Sequence, residues 1–178
     1  MTDMASEVDG HPAALSGGVV HYSDFSWASF SRDMRHRFML GRAIDGSESP
    51  HVRRVVFIML NPSTADASKN DPTITRCMKF AAAWGMTGMI VVNLYSFRTP
   101  HPAELWNQPR AERGGGQENN DEIIRAVAHA TKVVAAWGNG GGVDGRAAEV
   151  HRMLAGVSNT WASRNLECLG YEIGRAHV

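Results

Sequence analysis

The stretch Arg53–Leu60 reads RRVVFIML, and two later stretches share its character: Met89–Leu94 (MIVVNL) and Lys132–Trp137 (KVVAAW). Each is a short, nearly unbroken apolar run rich in β-branched residues. A half-exposed strand alternates polar and apolar side chains; unbroken runs belong to strands covered on both faces, as in parallel sheets. Helical patterns separate them. Asp71-Pro72 opens one, with Asp as N-cap and Pro at the first helical position. Ile74, Cys77, Met78, Ala81 and Ala82 form its apolar face, and Gly85 ends it. Asn120-Asp121-Glu122 starts a second helix that reaches about Ala130, and a third covers Arg146–Leu154. Strand–helix–strand order predicts an α/β fold: a three-layer sandwich with a mostly parallel central sheet and helices on both faces.

Outward from that frame the signals weaken. Arg37–Arg42 is expected as a strand, and the run from Arg32 to Arg42 as its solvated edge. Tyr95–Gly116 reads as a long loop with one short helix near Ala103–Trp106, and Leu166–Leu169 as a last strand. Residues 1–20 are expected to form a disordered lead-in and 21–171 a single domain. Glu172–Val178 (EIGRAHV) reads as the translation of a sequencing adapter, so the natural chain is expected to differ past Tyr171. Arg175 and His177 therefore receive no role.

Composition narrows the function. With 178 residues, 43% hydrophobic, the chain can bury a core without metals or disulfides. Two cysteines, Cys77 and Cys168, with no second pair, are read as excluding a disulfide scaffold or a four-ligand zinc site, and the eight histidines show no metal-ligand spacing. No metal or other cofactor is expected. A net charge of zero argues against coating nucleic acid by charge alone. The basic residues are 15 Arg against 3 Lys, from codon bias or from forks that hold phosphate or carboxylate. No apolar run is long enough to span a bilayer, and the N-terminus lacks a secretory pattern, so a cytoplasmic protein without membrane contact is expected.

In sheets of this kind ligands bind beyond the carboxyl ends of the strands, which directs attention to three loops. The first is Asn61-Pro62-Ser63-Thr64-Ala65-Asp66, continuing to Asp71, Thr73 and Arg76. It gathers short polar groups before a helix N-terminus, where free N–H groups attract anions. Asp66 is the candidate base; Asp71 reads equally as a plain cap. The second holds Asn93, Tyr95, Phe97 and Arg98. An Asn amide offers a donor and an acceptor that match a nucleobase edge, the aromatics offer stacking, and Arg98 a phosphate contact. The third is Trp137-Gly138-Asn139 through Arg146. Gly140–Gly145 matches G-x-G-x-x-G, but it lies late in the chain and no ribose-binding acid follows. The glycines permit close approach to a ligand or simply a turn, and Arg146 would make this an anion cradle.

The stretches MRHRFMLGRA, FIMLNPSTADA with DPTITRCMKFAAAWG, IVVNLYSFRTP, the Asn119-Asn120-Asp121 helix start, VVAAWGNGG with Arg146, and LECLG together resemble the bacterial and phage family DUF1643, from about Met34 to Gly170. That family label implies no activity. A more distant resemblance does. Leu60-Asn61-Pro62-Ser63 is similar to the Asn-Pro-Gly loop of mismatch-specific uracil-DNA glycosylase-like folds, with Ser63 in place of Gly. The resemblance implies a water-positioning role for Asn61 and a base-reading role for Asn93. A His-Pro loop that closes that fold has no counterpart before Tyr171.

The chemistry so implied is hydrolysis of an N-glycosidic bond. It needs a stabilised sugar cation, a placed water and a stabilised departing base. Asn61 can orient water but cannot deprotonate it. The expected site is thus Asn61 and Asp66 as catalytic residues. Pro62, Ser63, Thr64, Asp71, Thr73, Arg76, Asn93, Tyr95, Phe97, Arg98, Asn120, Trp137, Gly138, Asn139 and Arg146 are the expected binding residues. The partner is a nucleobase or nucleotide, in DNA or free. The alternatives are a non-catalytic module for a modified base or nucleotide, and a transferase or hydrolase of a phosphate-bearing metabolite.

Overall fold

A computed structural model of the chain describes residues 18–23, 26–44, 53–156 and 166–168. The strands are β1 (Val19–Ser23), β2 (Ser26–Phe30), β3 (Arg37–Ala43), β4 (Arg54–Met59), β5 (Gly88–Asn93), β6 (Lys132–Ala135) and β7 (Leu166–Cys168). The helices are α1 (Pro72–Ala83), α2 (Pro102–Asn107), α3 (Gln117–Ala128) and α4 (Arg146–Gly156). All seven strands form one sheet in the order β1-β2-β3-β5-β4-β6-β7. The three apolar runs are its centre. β4 pairs in parallel with β5 and with β6, and β6 in parallel with β7.

Side-chain alternation along those runs builds two cores. Val56 and Ile58 of β4 face one side with Ile90, Val92 and Val133, under α2, α3 and α4 through Leu105, Ile123, Ala126, Val127, Val150 and Leu154. Val55 and Phe57 face the other side with Met89, Val91 and Val134, under α1 through Ile74, Cys77 and Ala81. Fully burying each large apolar side chain contributes about 1.5–3 kcal/mol, so a strand covered on both faces gains nearly twice what a one-sided strand does. α/β architecture with helices on both faces follows.

The expected mostly parallel sheet is corrected: it is mixed. β1–β2, β2–β3 and β3–β5 are antiparallel, equal in number to the parallel pairings. The reason lies in connection length. A parallel crossover needs a dozen or more residues, whereas only Ser31–His36 joins β2 to β3, which permits a hairpin alone. β1 and β2 carry no apolar run (VVHYS, SWASF) and escape notice for that reason. Val19 and Val20 pair with Phe30 and Ser29, so the expected lead-in ends at least two residues too late. The rest of that lead-in, and the segment read as adapter, lie outside the described residues. α3 starts at Gln117 after Gly116, three residues before the acidic start expected at Asn120. Among the described residues no helix is long and apolar enough to cross a membrane.

One close approach fixes the antiparallel half. Trp27 lies across the strand pair from Gly41, and a Cβ on Gly41 would stand 2.2 Å from Trp27 Nε1. The indole fills the space where a side chain would be, a cross-strand packing that only glycine admits. Gly41→Ala is expected to lower stability by about 1–3 kcal/mol, the usual range for overpacking, read as a lower midpoint in urea unfolding with an unchanged slope.

Candidate functional site

β4 and β5 end side by side, with Met59 in register with Asn93. Their pairing continues for two residues: Leu94 N–H donates to Met59 O at 2.8 Å and Tyr95 N–H to Leu60 O at 3.0 Å. The two loops that follow therefore leave the sheet together. Between them and the turn before β3 lies a cavity of about 370 Å³. It is lined by Ser63, Thr64, Phe97 and Arg98, all expected from sequence, and by Met34, Arg35, Thr99 and Pro100, which were not. Met34 lies in left-handed backbone, φ +62°, a conformation that costs a non-glycine residue about 1–3 kcal/mol and gathers at functional sites.

Asn61 stands at the entrance to the first loop. Its Nδ2 donates to Pro62 O at 3.1 Å and to Thr99 O at 3.0 Å. Only the NH₂ end of an amide can serve two carbonyls, so the amide is oriented and its Oδ1 is left as an acceptor. Pro62 is buried, and its carbonyl also accepts from Thr99 N–H at 2.9 Å. Asn93 is fully buried, and neither Nδ2 nor Oδ1 has a partner. By strand alternation it lies on the α1 face with Met89 and Val91. Its main-chain carbonyl accepts from Asn119 Nδ2 at 2.9 Å.

Asp66 is less suited to act as a base. Its Oδ1 accepts from Ser68 N–H, Ser68 Oγ and Lys69 N–H at 2.8–3.1 Å, an Asx turn. Burial acts to raise its carboxyl pKa, but these bonds and the Arg42 charge outweigh that and hold it below the ordinary value. Asp71 caps α1, accepting Ile74 N–H at 2.8 Å. Thr73 and Arg76 are exposed on that helix. None of these four lines the cavity.

What shapes the first loop is a pair of residues read from sequence as solvated. Arg37 and Arg42 of β3 are buried, which corrects that reading. Arg37 Nη1 donates to Ala65 O at 2.7 Å. Arg42 Nε donates to Asn70 Oδ1 at 2.8 Å and its Nη2 to Asp66 O. Burial pushes the Arg37 guanidinium down to about 9, still charged at neutral pH. Both side chains reach across to carbonyls that a loop leaves without ladder partners. A strand position that is charged yet flanked by Phe38, Met39 and Leu40 was the available signal.

The third loop holds itself rather than the cavity. Trp137 packs against the core, and Gly138 and Asn139 are exposed. Gly141 lies so close to the Trp137 ring that a Cβ would stand 2.0 Å from it. Asp144, at φ +56°, accepts from Tyr95 Oη and, at 2.9 Å, from Arg113 Nη1. Burial, reinforced by Asp144, raises the Tyr95 hydroxyl well above its usual range, so it stays a donor. Arg146 is 2% exposed. Its Nε donates to Leu94 O at 3.0 Å, its Nη2 to Asn120 Oδ1 at 2.5 Å, and its Nη1 pairs with Glu149 at 2.8 Å. It pins the end of β5 and is no open anion cradle. Tyr95, Asn120, Trp137 and Arg146 thus surround the site as structure, away from the cavity wall.

A family model described as protein of unknown function (DUF1643) matches residues 37–175. The chain belongs to the DUF1643 family. No curated protein and no solved structure gave a significant match. The DUF1643 match takes in β3, with both clamping arginines, and the loops after β4 and β5. It begins just after the turn that brings Met34 and Arg35 to the cavity.

Two outcomes follow. Arg42→Ala is expected to cost about 1.5–3 kcal/mol, the range for a hydrogen bond to a charged group, and to speed protease cleavage within residues 64–70. His36, beside the cavity turn, bonds Ser96 Oγ through Nδ1 at 3.0 Å and packs on Phe97. Burial lowers its pKa below the ordinary 6.5, against the opposing pull of Asp33, Glu118 and Glu112. The folded state so favours neutral His36. Its contribution is present above 6.5 and lost as pH falls through the lower folded value. Urea midpoints between pH 7.5 and 5 should fall more steeply in wild type than in His36→Asn.

Proposed function

We propose that the loops after β4 and β5 bind a nucleobase and that the chain hydrolyses its N-glycosidic bond, in the manner of the uracil-DNA glycosylase-like fold its motifs resemble. One observation carries the reading: the fully buried, unpartnered Asn93 amide at the carboxyl end of β5. A buried polar group without a partner costs about 1–3 kcal/mol, and such groups call for an explanation. A nucleobase edge supplies both the acceptor and the donor that Asn93 lacks. Asn61 supports the chemical half. With its NH₂ held by Pro62 O and Thr99 O, its Oδ1 can accept from a water and aim it at the anomeric carbon. The water oxygen bonds to the anomeric carbon as that carbon's bond to the base nitrogen breaks; the base leaves with the electron pair as an anion, and the proton shed by the water passes to solvent or to the departed base.

The second reading, a module that recognises a modified base without chemistry, is favoured by Asp66: the one carboxylate proposed as base is committed to its own turn. Hydrolysis here would rest on an oriented water and a good leaving group, not on general-base catalysis.

The test is to incubate the chain with single- and double-stranded DNA bearing uracil, mismatched, oxidised and hypermodified bases, and with the matching nucleotides, scoring abasic sites and free base. Release should fall about 100-fold in Asn61→Ala, the effect of a misplaced reactant, with binding retained. Binding without release in wild type would establish the second reading, and neither binding nor release would overturn both.

A further inference from the structure

The cavity between the β4 and β5 loops is lined by two guanidinium groups and by no carboxylate. Arg98 lies over the Phe30 ring, 4.8 Å from its centroid, and donates through Nη1 to Met34 O at 3.1 Å. Its Nε is buried without a partner. The group is thus fixed by a ring and one hydrogen bond, with further donors of its fork unused. Arg35 lies over the Phe97 ring at 5.7 Å. Its ion pair with Glu112, at 3.6 Å between two side chains about half exposed, is a weak, screened tie that a ligand can replace. Ser63 and Thr64, from the neighbouring loop, bring hydroxyls that bond nothing else in the described residues.

Donors so outnumber acceptors that the cavity suits an anion. Arginine forks fixed by aromatic faces match the tetrahedral oxygens of phosphate better than a point charge does. A volume of about 370 Å³ lies near the lower end of small-ligand sites, enough for one nucleotide unit. We propose that this cavity is a phosphate subsite, in which Arg35 and Arg98 hold the phosphate of a nucleotide and Ser63 and Thr64 donate their hydroxyls to it. The proposal rests on the reading of the adjoining loops as a nucleobase site. It makes the ligand a nucleotide, free or within a strand, instead of a nucleoside or base.

Calorimetric titration of the full chain tests this, at constant ionic strength, with nucleosides, the corresponding 5′-monophosphates, inorganic phosphate and a short single-stranded oligodeoxynucleotide. The monophosphate should bind about tenfold or more tightly than its nucleoside, as charge-assisted bonds imply. That advantage should shrink in Arg35→Gln and vanish in Arg98→Gln. Because Arg98 also supports the Met34 turn, its variant is compared only where circular dichroism shows it folded; Arg35, exposed, carries the test alone otherwise. An Arg35-dependent advantage for the monophosphate places the phosphate on a free nucleotide, and one seen only with the oligonucleotide places it in a strand. Both support the subsite. Equal affinity for the nucleoside, its monophosphate and the oligonucleotide, or an advantage untouched by Arg35→Gln, overturns the subsite and leaves the nucleobase reading standing. A persistent phosphate advantage without base release overturns the hydrolytic reading alone.

Discussion

Buried and half-buried guanidinium groups that grip loop carbonyls hold this molecule in its working shape. Arg37 takes Ala65 O, Arg42 takes Asp66 O, Arg98 takes Met34 O, Arg113 takes Trp106 O and Gln108 O, and Arg146 takes Leu94 O. Each of these carbonyls lies at or beyond the end of regular structure, where no ladder or helix satisfies it. A charged donor makes a stronger bond to such an oxygen than water or a neutral side chain does. The fork also lets one residue tie two points at once, as Arg42 does with Asp66 and Asn70. An excess of Arg over Lys thereby acquires a structural use, whatever its origin: a lysine at these positions has no planar fork to share among carbonyls.

That grip divides the three loops at the strand ends into different classes. The β6 loop is tied through Asp144 to Tyr95 and Arg113, and presses Gly141 against Trp137. Both Asp144 carboxylate oxygens are satisfied within the protein. The β4 loop is held by Arg37 and Arg42 and the start of the β5 loop by Arg146, and polar atoms beside them are left unused: the Asn93 amide at the end of β5, Asn61 Oδ1, and part of the Arg98 fork. Unused donors and acceptors in a rigid setting are what a binding site requires, since a ligand then gains bonds without ordering the protein. The family match spans both loops and the strand that braces them.

The central strands and α1 were legible from sequence because burial on two faces leaves an unambiguous record, an apolar run where alternation would otherwise appear. Asp71-Pro72 marked a helix start for an equally local reason. The first two strands were not legible. SWASF alternates Trp27 and Ser29 against Ala28 and Phe30 over only five residues, and its partner β1 reads VVHYS. Their strand character depends on pairing with β3, which is a non-local fact. Of the candidate residues, Ser63, Thr64, Phe97 and Arg98 meet in one cavity because two adjacent parallel strands release their loops together. Met34 and Arg35 join them across the sheet, from a hairpin that local sequence does not connect to those loops.

Sequence by itself determined the α/β class, the buried centre of the sheet, the helix that follows the first loop and the family. These are written in short-range periodicity and in motifs. Tertiary structure alone decided the mixed sheet, the burial of Arg37 and Arg42, the withdrawal of Asp66 and Arg146 into structural bonds, and the isolation of Asn93. Periodicity records which residues avoid water. It does not record which distant carbonyl a guanidinium will reach, or which buried amide will be left without a partner, because those are set by contacts between segments far apart in the chain.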